Sequence, residues 1–140
     1  GGSPAIPLKI AVPKLALRMV EPKTRKAAFL REAVRQLGLE KTAVETARYE
    51  QLMARRELHE AHDVMTVRAV SIEPKSLQVL QTFLVPGGKM LLFRSRDGDD
   101  IATDLEEPLV REAQIPLLDG LRSCLVVLRK GSIEANKKQN

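Results

Sequence analysis

An arginine ends an apolar run near the middle of the chain. Residues 62–67 (His-Asp-Val-Met-Thr-Val) lead into Arg68 and then Ala-Val, and this composition predicts a strand at 63–67 that is covered on both faces of a sheet. A guanidinium is costly to bury there unless an anion or an aromatic ring meets it. Since ligands of open α/β sheets bind at the carboxyl ends of strands, Arg68 marks a candidate ligand site. A buried ion pair with Glu21 or Glu50 is the structural alternative.

Two acidic residues follow other short strands and offer hydrogen-bond acceptors. Glu21 comes directly after the apolar run Leu15–Val20, where a carboxylate can accept hydrogen bonds from the two hydroxyls of a ribose. A carboxylate at this position would also interact favourably with the dipole of a helix that starts nearby. Tyr49 and Glu50 come after a weak strand at 42–46, where they could hold the edge of an adenine or simply open a helix. The residues alone leave these alternatives open.

Gly1, Gly2 and Ser3 could let backbone amides approach a ligand, or the two glycines could be an expression remnant.

Other arrangements of reactive residues are missing from the sequence. No spacing of His, Cys and Asp predicts a metal site, and there is neither a Ser-His-Asp arrangement nor a Gly-x-Ser-x-Gly elbow. A Walker-type Gly-Lys-Ser/Thr is also absent. His59 and His62 are interpreted as surface or packing residues, and the single Cys124, inside an apolar run, as a small buried hydrophobe.

Apolar periodicity predicts the elements that must position these side chains. Strands are predicted at 15–20, 42–46, 63–67 and 89–93, helices at 24–37, 50–59, 74–84 and 105–112, and a hairpin from 115–118 and 121–128 around Asp119-Gly120. The first helix should bury one apolar face and end at Gly38. That face comprises Phe29, Leu30, Ala33, Val34 and Leu37. The alternation predicts an α/β fold with a mostly parallel sheet and one antiparallel strand.

Composition and charge narrow the class of protein. The 140 residues suit one domain, and 44% hydrophobic with 29% charged residues is an ordinary globular balance. The net charge is +5, and residues 1–60 carry 12 Lys and Arg against 7 Asp and Glu, which favours a polyanionic partner for this half or a well-solvated surface. Three Phe, one Tyr and no Trp argue against a stacking platform for single-stranded nucleic acid. No apolar run approaches the roughly 20 residues that span a bilayer.

Several motifs together resemble the RsmG (GidB) family in order and spacing, across about residues 1–130. They are Ser-Pro-Ala-Ile-Pro-Leu-Lys-Ile-Ala (3–11), Glu-Pro-Lys-Thr-Arg-Lys-Ala-Ala-Phe-Leu-Arg-Glu (21–32), Ala-Arg-Tyr-Glu (47–50), Thr-Val-Arg-Ala-Val (66–70), Leu-Val-Pro-Gly-Gly-Lys (84–89) and Leu-Val-Val-Leu-Arg-Lys (125–130). The resemblance implies a class I methyltransferase (Rossmann-like) with helices on both faces of the sheet and a C-terminal antiparallel β-hairpin. The implied reaction moves a methyl group from S-adenosylmethionine to N7 of a guanine in small-subunit (16S) ribosomal RNA.

The resemblance also assigns residues to roles. The implied cofactor-binding residues are Gly2, Ser3, Glu21, Pro22, Lys23, Tyr49, Glu50 and Arg68, and Arg68 is in addition the candidate for positioning or electrostatic catalysis. Three positions depart from the family pattern: Ser3 replaces a bulkier apolar residue, Tyr49 an alanine and Arg94 a lysine. The basic residues expected to contact RNA phosphates are Arg25, Lys26, Arg31, Arg35 and Arg94. Guanine N7 has a lone pair and no proton, so no strong general base is required.

The family pattern has an amino-terminal helical segment and a first strand before the cofactor loop, whereas this sequence starts within that loop. We therefore expect residues 1–130 to form a methyltransferase domain that lacks its first, central strand, with a polar tail at 131–140. The expected protein is cytoplasmic and monomeric, without a metal or a membrane, and acts on 16S rRNA or the small ribosomal subunit. A non-catalytic RNA-binding relative and a class I methyltransferase with another substrate are the alternatives.

Overall fold

The computed structural model of the protein describes residues 4–68, 72–95, 105–117 and 123–132, with only the backbone at 95. The chain divides into two compact units, residues 1–52 and residues 53–140. The predicted loop at 96–100, the Asp119-Gly120 turn and most of the polar tail lie outside the described residues, as do Gly2 and Ser3.

The first unit is a small α/β arrangement around two parallel strands. Strand β1 pairs with β2 in the register Leu17↔Thr42 to Val20↔Glu45, and a helix connects them, as parallel strands require. The elements in chain order are α1 (Ala5–Ala11), β1 (Leu17–Val20), α2 (Thr24–Leu37), β2 (Thr42–Glu45) and α3 (Tyr49–Leu52). These confirm the predicted helix at 24–37 and the strands around 15–20 and 42–46.

Helix α2 buries only part of the predicted face, in which Leu30 is buried and Ala33 and Val34 are half-buried. Ala27 is 0% and Leu30 3% exposed, whereas Phe29 is 72% and Leu37 52% exposed. The buried positions fall at i and i+3, so the buried stripe is centred on Ala27 and Leu30 rather than on Phe29. The expected helix end is confirmed, since Gly38 adopts φ 62° and its N–H donates to the carbonyl of Arg35 at 3.2 Å.

The second unit contains a mixed four-stranded sheet in the order β3-β4-β6-β5. Strands β3 and β4 are parallel, and the other two ladders are antiparallel. Its elements are a 3₁₀ turn (Arg56–Leu58), β3 (His62–Arg68), α4 (Pro74–Gln81), β4 (Leu84–Ser95), β5 (Leu109–Pro116) and β6 (Ser123–Lys130). The pairing of β5 with β6 confirms the predicted hairpin. The large, fully buried side chains in the described part of this unit are those of Leu77, Leu84, Met90, Leu92 and Leu128.

Two predicted helices are wrong. The helix expected at 50–59 stops at Leu52, and a 3₁₀ turn at Arg56–Leu58 follows after a break. The helix expected at 105–112 is instead the start of β5, which runs from Leu109 to Pro116. Pro108 has no N–H to donate and disfavours a helix interior. The flanking residues find hydrogen-bond partners on β6, whose apolar side chains are largely buried.

Strand β3 does not have the predicted covering on both faces. Not one of its side chains is buried, and Val64 is 56% exposed. In the described part of its unit, β3 stands at the end of the strand order and pairs along one side, with β4. The apolar composition therefore predicted the strand and its parallel pairing correctly but overestimated its burial.

Candidate functional site

The carboxyl ends of β1 and β2 bring an acidic residue into a buried position. The N–H of Glu21 donates to the carbonyl of Glu45 at 2.9 Å, which extends the parallel ladder by one residue beyond β1. Glu21 is only 7% exposed. Within the described ranges, no group donates a hydrogen bond to its carboxylate. These oxygens are not among the fully buried polar atoms that lack a partner, so solvent reaches them and a ligand that brings hydroxyl groups can donate hydrogen bonds to them.

The segment after Glu21 leads straight into helix α2. Pro22 and Lys23 are exposed, and Lys23 has extended backbone angles at the cap position. The carbonyl of Lys23 accepts a hydrogen bond from the N–H of Ala27 at 2.9 Å, which closes the first helical turn. A short fixed connection therefore holds the Glu21 carboxylate between the end of a strand and the start of a helix.

Tyr49 and Glu50 lie at the same edge of the two-stranded sheet. Both belong to α3, which begins four residues after the end of β2. Tyr49 is half-buried and Glu50 is exposed. The side-chain oxygen of Gln51 accepts a hydrogen bond from the N–H of Arg48 at 2.9 Å, which anchors the start of this short helix. The structure thus places Glu21, Tyr49 and Glu50 after neighbouring strands, as the sequence predicted, and their cofactor role stays a prediction.

An ion pair between β1 and β2 was not predicted from the sequence. Arg18 Nη1 lies 2.5 Å from Glu45 Oε1, and both side chains are about three-quarters buried (29% and 23% exposed). The Nε atom of Arg18 is buried without a hydrogen-bond partner. Because Val20 pairs with Glu45, Arg18 and Glu45 project from the same face of the ladder. This register is the signal that could have found the pair, since neither residue belongs to a recognisable motif.

In the second unit, the parallel strands bring two predicted arginines to one edge. Arg68 pairs in register with Phe93, next to Arg94. Arg68 is exposed, so the cost of burying its charge, on which the sequence argument rested, does not arise. Glu50, in the first unit, is exposed as well. Arg94 is only 7% exposed, in contrast to the surface position expected for a phosphate contact.

Two basic residues of α2, Arg31 and Arg35, donate hydrogen bonds within the first unit. Arg31 Nη2 donates to the Val44 carbonyl at 2.9 Å and to Thr46 Oγ1 at 2.7 Å, and so ties α2 to β2. Arg35 donates to both carboxylate oxygens of Glu32. This contact raises the pKa of Arg35 and, with a hydrogen bond from Gln36, lowers the pKa of Glu32.

Arg25 and Lys26 lie in the first turn of α2, which contains no acidic residue. Both are exposed, and neither makes an ion pair with another described residue. Of the five predicted RNA contacts, these two are the ones that present a charge without a partner on the described surface of the first unit.

Histidines and the cysteine have structural roles. His59 Nε2 lies 2.7 Å from the Met53 carbonyl, His62 Nδ1 lies 2.9 Å from the Phe83 carbonyl, and Cys124 is buried. Among the residues that the structure describes, no group of three His, Cys, Asp or Glu side chains could hold a metal ion. Nor is any helix within those ranges both long and apolar enough to cross a membrane.

Comparison with known proteins identifies related sequences. The family model of rRNA small subunit methyltransferase G (GidB) matches residues 1–120. A ribosomal RNA small subunit methyltransferase G of Xanthomonas oryzae pv. oryzae is 36% identical over 133 residues, which cover 92% of this chain and 60% of the relative. The chain therefore spans about three-fifths of the length of the relative it matches.

Solved structures share the fold at low sequence identity. A putative methyltransferase of Escherichia coli has a TM-score of 0.69 and 11% identity, covering 93% of this chain and 72% of that protein. A mutant MtNAS in complex with S-adenosylmethionine has a TM-score of 0.66 and 14% identity, covering 89% of this chain and 49% of that protein. The predicted class I methyltransferase fold is confirmed by these similarities.

Proposed function

Because this chain belongs to the GidB family of rRNA small subunit methyltransferases, we propose that it transfers a methyl group from S-adenosylmethionine to N7 of a guanine in 16S rRNA. The domain responsible comprises residues 1–130, and residues 131–140 are a polar tail. The protein acts as a cytoplasmic monomer on naked 16S rRNA or on the small ribosomal subunit.

The position of Glu21, a largely buried residue whose carboxylate oxygens remain open to a donor, is the observation that carries this proposal. Glu21 lies after a parallel strand and is 93% buried, and within the described ranges its oxygens accept no hydrogen bond. The two hydroxyls of a ribose are donors that would satisfy these oxygens. Pro22 and Lys23 would flank the ribose, and Tyr49 and Glu50 the adenine. Gly2 and Ser3, which would form part of the methionine side of the site, lie outside the described residues.

Methyl transfer to guanine N7 requires no strong general acid or base. The cofactor supplies a methyl group that its sulfonium already activates. The protein must align guanine N7 with that methyl group, and positioning of this kind provides much of a rate enhancement. As the methyl transfers, positive charge develops on the base, and nearby carboxylate or carbonyl oxygens would stabilise it. Arg68 is proposed to position the cofactor or the RNA at the carboxyl edge of β3.

RNA would be held mainly through its phosphates. Arg25 and Lys26 are the leading candidates, since both are exposed and have no acidic partner on the described surface. Three of the predicted arginines are weaker candidates. Arg31 is bound to β2 and Arg35 to Glu32 of the same helix, and Arg94 is buried. Contacts of this kind make binding depend steeply on salt concentration.

The proposal is tested first by cofactor binding to the complete protein. Calorimetry with S-adenosylmethionine should show that Glu21→Gln raises the Kd by on the order of tenfold, because one or two charge-assisted hydrogen bonds are weakened. The exposed Glu40 is a matched acidic control, and Glu40→Gln should leave the Kd unchanged. Equal affinities for the Glu21 variant and the parent protein would remove this residue from the site.

A second experiment follows the methyl group itself. Purified small ribosomal subunits are incubated with the protein and radiolabelled S-adenosylmethionine, and the modified base is located by chain cleavage at 7-methylguanine. Arg68→Ala should reduce cofactor binding or methylation, and Lys75→Ala, at an exposed position of α4, should not. Normal binding and full methylation in the Arg68 variant would exclude Arg68 from the mechanism. RNA binding without methylation would identify a non-catalytic relative, and methylation of another substrate would contradict the assignment to rRNA.

A further inference from the structure

The exposed ring of Phe29 has no structural explanation within helix α2. The residue is 72% exposed, although its chain neighbour Leu30 is 3% exposed and packs into the core. Scattered exposed aliphatic residues are normal on a protein surface. A phenyl ring, in contrast, presents a large flat apolar surface whose removal from water is favourable.

The charges around Phe29 indicate what kind of partner would cover it. On a helix, residues three and four positions apart are neighbours, so Lys26 and Arg25 stand beside the ring on its amino-terminal side. Both are exposed, and the first turn contains no acidic residue. On the carboxyl-terminal side, Glu32 is occupied by Arg35. An aromatic face next to two available cations matches a nucleotide, which combines a flat base with a phosphate.

A second protein surface fits these observations less well. Protein interfaces are depleted in Lys, whereas Phe29 has the exposed Lys26 within one turn. Leu37 lies two turns further along the same helix and is also exposed, at 52%. It is an aliphatic residue without an available cation within one turn, since Arg35 is paired with Glu32.

We propose that Phe29 is an RNA contact of this protein: its ring stacks on an unpaired base of 16S rRNA while Arg25 and Lys26 bind the adjacent phosphates. This inference rests on the proposed function, because it names the part of the chain that receives the substrate RNA. It requires one aromatic contact with a base that is exposed in a folded RNA, which the low aromatic content of the chain allows.

The experiment uses the complete protein and a fluorescently labelled 16S rRNA transcript. Phe29→Leu keeps an apolar side chain but removes the ring, and it should weaken RNA binding roughly 5- to 150-fold, the range expected for one lost base–aromatic stack. Phe29→Trp should restore the affinity. The slope of affinity against salt should stay unchanged in Phe29→Leu and decrease in Arg25→Gln and Lys26→Gln.

The chain contains no tryptophan, so Phe29→Trp also provides a single fluorescent reporter. Stacking on a base should quench this tryptophan when the transcript is added. Leu37→Trp, on the same helix and similarly exposed, is the matched control and should respond much less. Thermal unfolding followed by circular dichroism should show that all these variants remain folded.

Each outcome bears on the proposal. Unchanged RNA affinity in Phe29→Leu, or equal quenching in the two tryptophan variants, would overturn it. If Arg25→Gln still weakens RNA binding in that case and the parent protein still methylates rRNA, the proposed function stands and only the role of Phe29 fails. A change of oligomeric state in Phe29→Leu would make this face a protein contact instead. Failure of the parent protein to bind either the transcript or the small ribosomal subunit would refute both the function and this inference.

Discussion

The ammonium group of Lys130 donates a hydrogen bond to the carbonyl oxygen of Leu84 at 2.9 Å, in the interior of the second unit. The same group donates to the carbonyl of Gln81 at 3.0 Å and lies 3.6 Å from the carboxylate of Glu60. Lys130 is only 7% exposed. Lys130 thereby links the end of β6 to the last residue of α4 and the first residue of β4. The last carbonyl groups of a helix have no partner within the helix, and Lys130 supplies a donor for the carbonyl of Gln81.

Replacing Lys130 with Met should lower the free energy of unfolding by about 1–3 kcal/mol, because two buried carbonyls lose their donor. Lys89 provides the comparison. Its ammonium lies 3.1 Å from Glu112, and both side chains are substantially exposed, so Lys89→Met should cost at most about 1 kcal/mol. Urea unfolding of both variants gives the two values. A loss at Lys130 no larger than the loss at Lys89 would contradict the structural role described for this lysine.

The contact between Glu32 and Arg35 has a consequence for pH dependence. The hydrogen bonds from Arg35 hold the pKa of Glu32 below its usual range, with a smaller contribution from Gln36. A carboxyl group with a lowered pKa in the folded state stabilises the protein above its unfolded-state pKa, and this stabilisation is lost as pH falls through the folded-state pKa. Both side chains are exposed to solvent, so the effect on stability is small.

The prediction is therefore best checked at the carboxyl group itself. In an NMR titration, Arg35→Gln should move the pKa of Glu32 upward, toward its usual value. Raising the salt concentration should shift the same pKa upward in the parent protein, because salt screens exposed charges. An unchanged Glu32 pKa would show that this hydrogen bond is not formed in solution.

Two neighbouring glycines at the start of β4 should respond differently to substitution. A methyl group on Gly88 would lie 2.9 Å from the Val85 carbonyl oxygen and 3.1 Å from that of Asp63. Since backbone atoms are involved, Gly88→Ala should shift the β3–β4 pairing and cost about 1–3 kcal/mol. Gly87 has φ 85° and open space around it, so Gly87→Asn, a residue that tolerates positive φ, should cost less than about 1 kcal/mol. Thermal unfolding of both variants checks this order.

The sequence predicted those elements that depend on local signals. Helix α2 has a clear apolar period and a glycine at its end, and the end of β5 and most of β6 flank a strong turn signal, so the helix and the hairpin were found, although residues 109–112 of β5 were predicted as helix. The strands around Glu21 and Arg68 were also placed correctly, because short apolar runs end at charged residues. Candidate site residues were therefore predicted to lie after the strands, where the structure has them.

The remaining features depend on contacts that local patterns do not encode. Phe29 looked like a core residue because it extends an apolar stripe, but the packing of α2 against the sheet turns Ala27 inward beside the predicted Leu30 and leaves Phe29 outside. The pairing of Arg18 with Glu45 depends on the register between β1 and β2, and this register is set by both strands together. The strand β5 was taken for a helix because its hydrogen-bond partners are supplied by β6, further along the chain.

The exposure of β3 leads to a last prediction, in which two adjacent strands are compared. Met90 on β4 is 0% exposed and Val64 on β3 is 56% exposed, and the partner of Met90 in the ladder is Met65, the residue after Val64. Met90→Ala should lower the free energy of unfolding by about 2–5 kcal/mol through the cavity it leaves. Val64→Ala should cost less than about 1 kcal/mol, because its side chain already contacts water.

Urea unfolding of the two variants, with circular dichroism to confirm that each begins folded, gives the comparison. The sequence of β3 is that of a strand buried on both faces, and the structure gives this strand one pairing partner among the described residues. A loss at Val64 as large as the loss at Met90 would mean that β3 is covered in solution by a further element. In that case the guanidinium of Arg68 would again lie in a setting where its burial demands an anionic partner.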